Sequence, residues 1–269
     1  MKKFEGIVLC SDLDGTILEN ETTIHPENLE ALAYFREHGG KFTIATGRQR
    51  KSAAYFLETL KPDFPIITAN GAMILDCDAN KILWSRTLPQ EVELFLEDIL
   101  KRFENAAPAV VNGEDVFFLR DTHEARAFRN AEQLPYLMAK YEEVDKPWFK
   151  IVSCQDAELT GEIRKYYGQS QWNDVFKFIR SGAHYFEALP LGANKGEALK
   201  KLSEMCGFQL SKTVTVGDNE NDAEMLKVAG LGCAMGNATL EAKENADFVT
   251  LSNKDGGVAH LIYKLDTLL

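Results

Sequence analysis

An α/β fold, with a parallel-sheet core interrupted by an inserted α+β region, is what this 269-residue sequence predicts, on three observations. Short apolar runs of strand length alternate with helical stretches toward both ends of the chain, the pattern of a parallel sheet with right-handed crossovers. In the middle, strands follow one another through turns instead of crossover helices. The acids, hydroxyls and lysine that stand out fall where strands stop or helices start, the crevice in which open α/β sheets bind ligands.

Taken in order, residues 7–10 (IVLC) read as a strand buried on both faces, because aliphatic residues follow one another without alternation. Residues 26–38 carry Leu29, Leu32, Ala33 and Phe35 at helical spacing and stop at Gly39-Gly40. Strands at 41–45 and 65–69 flank a helix at 49–60, so the first three strand ends carry Asp12, Thr46 and Asn70. Past Gly71 the pattern changes: 73–75 and 81–84 read as a hairpin. A helix at 89–103, strands at 109–111 and 116–119 around Asn112-Gly113, a strand at 149–154, a helix at 156–167 and extended segments at 175–179 and 185–188 make up the α+β region. Alternation then returns with helices at 193–206, 221–229 and 255–268 and strands at 214–217 and 232–235. The expected division is a discontinuous core, 1–84 with 186–269, and an inserted domain over 85–185.

Lys and Arg number 30 against 41 Asp and Glu, a net charge of -11, which argues against a nucleic acid or an anionic membrane as partner. Five scattered cysteines without a CxxC pair fit a reducing cytoplasm. The apolar run after Met1-Lys2-Lys3 is too short for a secretory leader, and no segment approaches transmembrane length. A monomer or weak homo-oligomer is the expected assembly.

The chemistry starts at Asp12 and Asp14, which follow the first strand directly in DLDGT. Side chains at i and i+2 of an extended segment point the same way, and two carboxylates about 4 Å apart repel by roughly 4 kcal/mol at an effective dielectric of 20. Such a pair needs a proton, a cationic side chain or a metal, and all-oxygen ligands suit Mg2+. Thr46-Gly47 offers a hydroxyl and backbone N–H groups at a helix start, suited to a phosphoryl oxygen. Lys195 stands at the head of a helix, where the dipole disfavours a cation unless an anion is near. GDNEND, residues 217–222, adds Asp218 and Asp222 one potential helical turn apart. Spacing excludes an EF-hand at 218–229, a P-loop at 192–196 and a dinucleotide loop at 230–236.

Four acids, a threonine and a lysine at strand ends suit a phosphate monoester with Mg2+. In this order DLDGT, Thr46-Gly47-Arg48, Asn194-Lys195-Gly196 and GDNEND resemble the four motifs of the haloacid dehalogenase-like hydrolases. More narrowly, the chain is similar to their Cof-type sugar-phosphatase branch, which carries an α+β cap after the third core strand. The resemblance implies a Rossmann-like parallel-sheet core with an inserted cap, and a Mg2+-dependent phosphatase acting on a small phosphorylated metabolite, a sugar phosphate foremost. It implies Asp12 as nucleophile forming an aspartyl phosphate, and Asp14 as the acid and then base. Mg2+ would be held by the Asp12 carboxylate, the Asp14 backbone carbonyl and Asp218, with Asp222 in support. Lys195 and Thr46 would orient the phosphoryl oxygens, helped by the Leu13 and Gly47 amides and the Asn221 side chain.

Connection lengths place the specificity element: Asp12 to Thr46 leaves room for one helix, whereas about 150 residues separate Thr46 from Lys195, far more than a crossover needs. From that insertion Arg120, Arg126, Arg129, Trp172, Lys177, Arg180 and His184 are candidates to read the substrate beyond its phosphate. Two other activities stay open at this level: a phosphomutase of the same superfamily, and a receiver-like protein phosphorylated on aspartate as a signal.

Overall fold

The computed structural model describes residues 2–20, 22–113 and 115–268. The chain runs through β1 (Val8–Ser11), a tight turn over Leu13–Ile17, α1 (Pro26–Glu37), β2 (Lys41–Ile44), α2 (Arg50–Leu60), β3 (Ile66–Thr68), β4 (Met73–Asp76) and β5 (Lys81–Ser85). There follow α3 (Val92–Arg102), β6 (Ala107–Val111), β7 (Val116–Phe118), α4 (His123–Ala131), β8 (Leu137–Met138), β9 (Lys150–Cys154), α5 (Ala157–Gly168), β10 (Phe176–Gly182) and β11 (Tyr185–Pro190). The return is α6 (Lys195–Cys206), β12 (Thr213–Gly217), α7 (Ala223–Val228), β13 (Leu231–Ala234), α8 (Leu240–Glu244), β14 (Phe248–Val249) and α9 (Gly257–Leu268). Two compact units result: Met1–Thr46, Tyr55–Leu83 and Asn194–Leu269 form the first, Gly47–Ala54 and Trp84–Ala193 the second.

In the first unit a parallel sheet has the order β14-β13-β12-β1-β2. β1, flanked on both sides by β12 and β2, is buried throughout, which is why its sequence is apolar without alternation. Ser11 is level with Ile44 on one side and Val216 on the other. The ladder runs one step further, Ala45 N–H donating to Ser11 O (2.9 Å) and Asp12 N–H to Val216 O (3.0 Å). The carboxyl ends of β2, β1 and β12 are therefore in line. Behind the turn that follows Asp12, the buried Asn28 side chain of α1 donates to Ile17 O (3.1 Å) and accepts from Ala259 N–H of α9 (2.9 Å), tying the turn to both helices.

The second unit carries a six-stranded sheet in the order β10-β11-β9-β6-β7-β8, antiparallel but for β7 with β8. Alternation along β6 and β9 sorts the core to two faces. Val110 and Ile151 join Phe95, Ile163, Tyr167 and Phe186. On the other face Ala109, Val111 and Val152 meet Phe118, Ala125 and Phe128.

Three features differ from, or add to, the elements read in the sequence. The third strand is not a regular member of the parallel sheet: β3 pairs antiparallel with β4 and touches β2 only by a bridge from Ala45 to Ile67. The boundary at 185/186 falls inside a sheet, because β11 is paired on both sides with β10 and β9, so the second unit runs on to Ala193. Helices α4 and α8 and strand β14 had no periodic signal: α4 buries only Ala125 and Phe128 in nine residues, α8 only Ala242.

Candidate active site

Two strand ends and a helix head of the first unit bring Asp12, Asp218, Asp222 and Lys195 together. Asp12 sits one residue past β1 and is buried. Lys195, first residue of α6, is fully buried, with its Nζ 2.8 Å from Asp12 Oδ1 and 2.6 Å from Asp222 Oδ1. This pair of contacts is the anion that the head of the helix called for. Asp222 spends its other oxygen on the backbone, accepting from Asp218 N–H (2.9 Å) and Asn219 N–H (3.0 Å). It thereby shapes the loop between β12 and α7 while holding Lys195.

Asp218 is steered from the neighbouring strand end, where the Thr16 hydroxyl in the turn after β1 donates to its Oδ1 (3.0 Å). Between them Gly15 has φ +72° and no room for a side chain: a Cβ there would lie 2.4 Å from Asp218 Oδ2. Thr46 is buried, its N–H bound to Ile67 O (2.9 Å) and its O accepting from Asn70 N–H (3.1 Å). Asn221 Nδ2 donates to Asn70 Oδ1 (2.8 Å). Leu13 is buried in the turn and its carbonyl accepts from Leu18 N–H (3.0 Å). Asp14 is exposed, and its carboxylate is not among the three that cluster. Gly47 opens the stretch grouped with the second unit, and its carbonyl accepts from Lys150 Nζ (3.0 Å).

One buried ammonium among several acids leaves negative charge in excess. Burial pushes the Asp12 carboxyl well above the usual carboxylate range; Lys195 pulls it down, and Asp222, Asp218 and Asp14 push it up. Asp218 rises to about 7, again through burial first and the Asp222 charge second, against the Thr16 hydrogen bond. Burial alone would lower Lys195, but its two carboxylates outweigh that and the ammonium is held on. Ligand oxygens of Asp12, Asp218 and Asp222 lie within 4.8 Å of one another. A set of carboxylate oxygens with uncompensated charge fits a hard divalent cation. Asp222 is the least available of the three, since Lys195 and two N–H groups already use its oxygens.

Two residues that carry this arrangement had weak sequence signals. Thr16 lies in DLDGT, but its partner is 202 positions away. Asn70 is visible in the sequence only as a residue at a strand end.

Six of the seven expected readers have partners within the second unit. Arg120 donates to the carbonyls of Phe103 (2.7 Å), Glu104 (2.9 Å) and Ala106 (2.9 Å), and to that of Leu100, closing the carboxyl end of α3. Arg126 is paired with Asp121, Arg129 donates to Asn130 Oδ1 (2.8 Å), and Arg180 donates to Gly182 O (3.0 Å). Trp172 packs on the larger apolar cluster with Phe95 and Phe176, and the His184 ring nitrogen Nδ1 lies 3.2 Å from Gln155 O.

Comparison with known proteins agrees with this fold and geometry. A family model described as haloacid dehalogenase-like hydrolase matches residues 9–262. The chain is 30% identical to the 5-amino-6-(5-phospho-D-ribitylamino)uracil phosphatase YcsE of Bacillus subtilis, over 95% of this chain and 94% of that one. It is 29% identical to the pyridoxal phosphate phosphatase YbhA of Escherichia coli, over 95% and 97%. A crystal structure of a haloacid dehalogenase-like hydrolase from Bacteroides thetaiotaomicron superposes with a TM-score of 0.83, covering 96% of this chain and 99% of that one at 23% identity, which shows the shared fold. The chain belongs to the haloacid dehalogenase-like hydrolases, in their Cof-type phosphatase branch.

Proposed function

We propose that this phosphoric monoester hydrolase releases inorganic phosphate from a small phosphorylated metabolite, a sugar phosphate foremost, with Asp12 as nucleophile and Mg2+ as the metal. The observation that carries the reading is the buried Lys195, whose Nζ contacts both Asp12 and Asp222. An ammonium beside a carboxylate nucleophile offsets the charge that three phosphoryl oxygens bring in.

An Asp12 oxygen attacks phosphorus while the bond to the leaving oxygen breaks, and Asp14 gives that oxygen its proton. Asp14 then takes a proton from water, whose oxygen attacks the aspartyl phosphate and frees Asp12. Lys195, the Thr46 hydroxyl, the Asn221 amide and the N–H groups of Leu13 and Gly47 hold the phosphoryl oxygens. Mg2+, when bound by Asp12, the Asp14 carbonyl and Asp218 with Asp222 in support, supplies charge stabilisation of the oxygens. Positioning with charge stabilisation is most of what phosphoryl transfer requires.

The relatives act on chemically different phosphorylated metabolites, one carrying a ribityl chain and one a pyridine ring. A screen of sugar phosphates, ribityl phosphates and pyridoxal phosphate with Mg2+ therefore tests the substrate. The reading also places the protein in a reducing cytoplasm as a monomer or weak homo-oligomer, and five free cysteines are consistent with that compartment. Among the described residues no helix is long and apolar enough to cross a membrane. The deciding experiment is phosphate release by wild type and Asp12→Asn, with hydroxylamine trapping of the phosphorylated enzyme. Loss of both signals in the variant is expected; undiminished release overturns the assignment.

A further inference from the structure

Three successive residues after β3, Ala69, Asn70 and Gly71, have positive φ of 49°, 54° and 92°. Ala69 and Asn70 are buried, 0% and 1% exposed. Glycine and asparagine tolerate this region, but an alanine there is strained, and such strain persists only where the surroundings impose it. Here the surroundings are three attachments. Asn70 N–H donates to Thr46 O (3.1 Å). Asn70 Oδ1 accepts from Asn221 Nδ2 (2.8 Å). Gly71 lies so close to the start of α6 that a Cβ on it would be 2.2 Å from Asn194 O and 2.8 Å from Lys195 N. Thr46 and Asn221 follow two different strands and Lys195 opens α6, and this one turn is hydrogen-bonded to the first two and packed against the start of that helix.

We infer that Asn70 is a positioning residue for Asn221, deciding which way round its carboxamide stands at the phosphoryl group; the inference rests on the reading of Asn221 as a phosphate donor. A carboxamide nitrogen carries two hydrogens. One goes to Asn70 Oδ1 and the other is left for a phosphoryl oxygen. Asn221 Oδ1 is buried with no hydrogen-bond partner, so no bond at that end orients the amide. Without the acceptor on Asn70 the amide is free to turn over and set its oxygen against a phosphoryl oxygen, acceptor against acceptor. The strained turn is kept because it carries this acceptor to the site.

Asn70→Gly removes the acceptor while retaining a residue at ease with positive φ. With p-nitrophenyl phosphate and Mg2+, Asn221→Ala should lower kcat/KM about a hundredfold and Asn70→Gly about tenfold, with the double variant no lower than Asn221→Ala alone. Additive losses, or wild-type kcat/KM in Asn70→Gly, overturn the inference. Wild-type kcat/KM in Asn221→Ala overturns it as well while leaving the phosphatase reading intact, since that reading fails separately, by Asp12→Asn retaining activity. Should Asn70→Gly not fold, the side-chain amide signals of wild-type Asn221 decide. One slowly exchanging hydrogen, and a second that shifts on adding inorganic phosphate, support the inference; two fast-exchanging hydrogens indifferent to phosphate overturn it.

Discussion

Replacing Lys195 by methionine removes the ammonium from between Asp12 and Asp222 while keeping a side chain of similar length. In the native protein this lysine is fully buried and sits 2.8 Å and 2.6 Å from the two carboxylates. Taking one member from a buried ion pair costs about 3–5 kcal/mol, because the remaining charge is left without a partner. For a unit of about 150 residues each kcal/mol lowers Tm by about 2–4 °C, so the drop is on the order of 6–20 °C. The loss should depend on pH. Burial already raises the folded Asp12 pKa above its ordinary value, and Lys195 is the group that pulls it down. Between about pH 4 and that raised value the folded state binds more protons than the unfolded one, so stability falls as pH rises. Without Lys195 the window widens, and the Tm deficit of Lys195→Met should be smaller at pH 5 than at pH 8. Thermal unfolding followed by circular dichroism at both pH values, with EDTA present, measures it. A variant as stable as wild type at pH 8, or a deficit that grows toward pH 5, refutes the reasoning, and phosphate release by the variant should be lost throughout.

Gly15→Ala should cut phosphate release at least tenfold and cost about 1–3 kcal/mol, because its Cβ would collide with Asp218 Oδ2 at a φ of +72°; turnover and Tm on the same preparation check both. Asp63 accepts from Arg36 Nε (3.0 Å), Lys41 Nζ (2.9 Å) and Phe42 N–H (3.0 Å), and although burial pushes its carboxyl up, these partners bring it below the ordinary value. Its stabilisation is present above the unfolded pKa of about 3.9 and lost as pH falls through the lower folded value. Asp63→Asn should therefore destabilise by about 1 kcal/mol at pH 7 and hardly at pH 2 to 3, as urea melts at the two pH values would report. Arg120→Met should cost about 2–3 kcal/mol by stripping the donors from the end of α3, with KM unchanged; a raised KM at unchanged stability would make Arg120 a substrate contact after all.

Much of the site was legible because its signals are local. An apolar strand that runs straight into DLDGT, and a lysine at a helix head where the dipole opposes it, need only their neighbours in sequence to stand out. The parallel sheet was legible for the same reason, each strand being a short aliphatic run bounded by a polar turn. What escaped depends on partners remote in the chain. Arg120 looks like a free cation until α3 is seen to end beside it, and Thr16 like a turn residue until Asp218 is placed. The departure of β3 from the parallel sheet follows from the hairpin with β4, whose register no residue type announces. Nothing about an Ala-Asn-Gly triplet states that all three take positive φ. Helix α4 escaped because its inward face is only Ala125 and Phe128.

The order of the parallel sheet also has a consequence for synthesis. β1 lies between β2 and β12, so the strand that leads to Asp12 leaves the ribosome about 200 residues before β12 and waits, aliphatic and unpaired on one edge, until that partner has been made. The second unit, with its own sheet and two apolar clusters, has all its strands before β12 emerges. Long-range parallel pairing is slow and exposes such edges. Chains truncated between residues 195 and 213 should therefore hold a folded insertion while the segment that carries β1 stays chaperone-dependent, with the contact between Asp12 and Lys195 forming only once β12 is present.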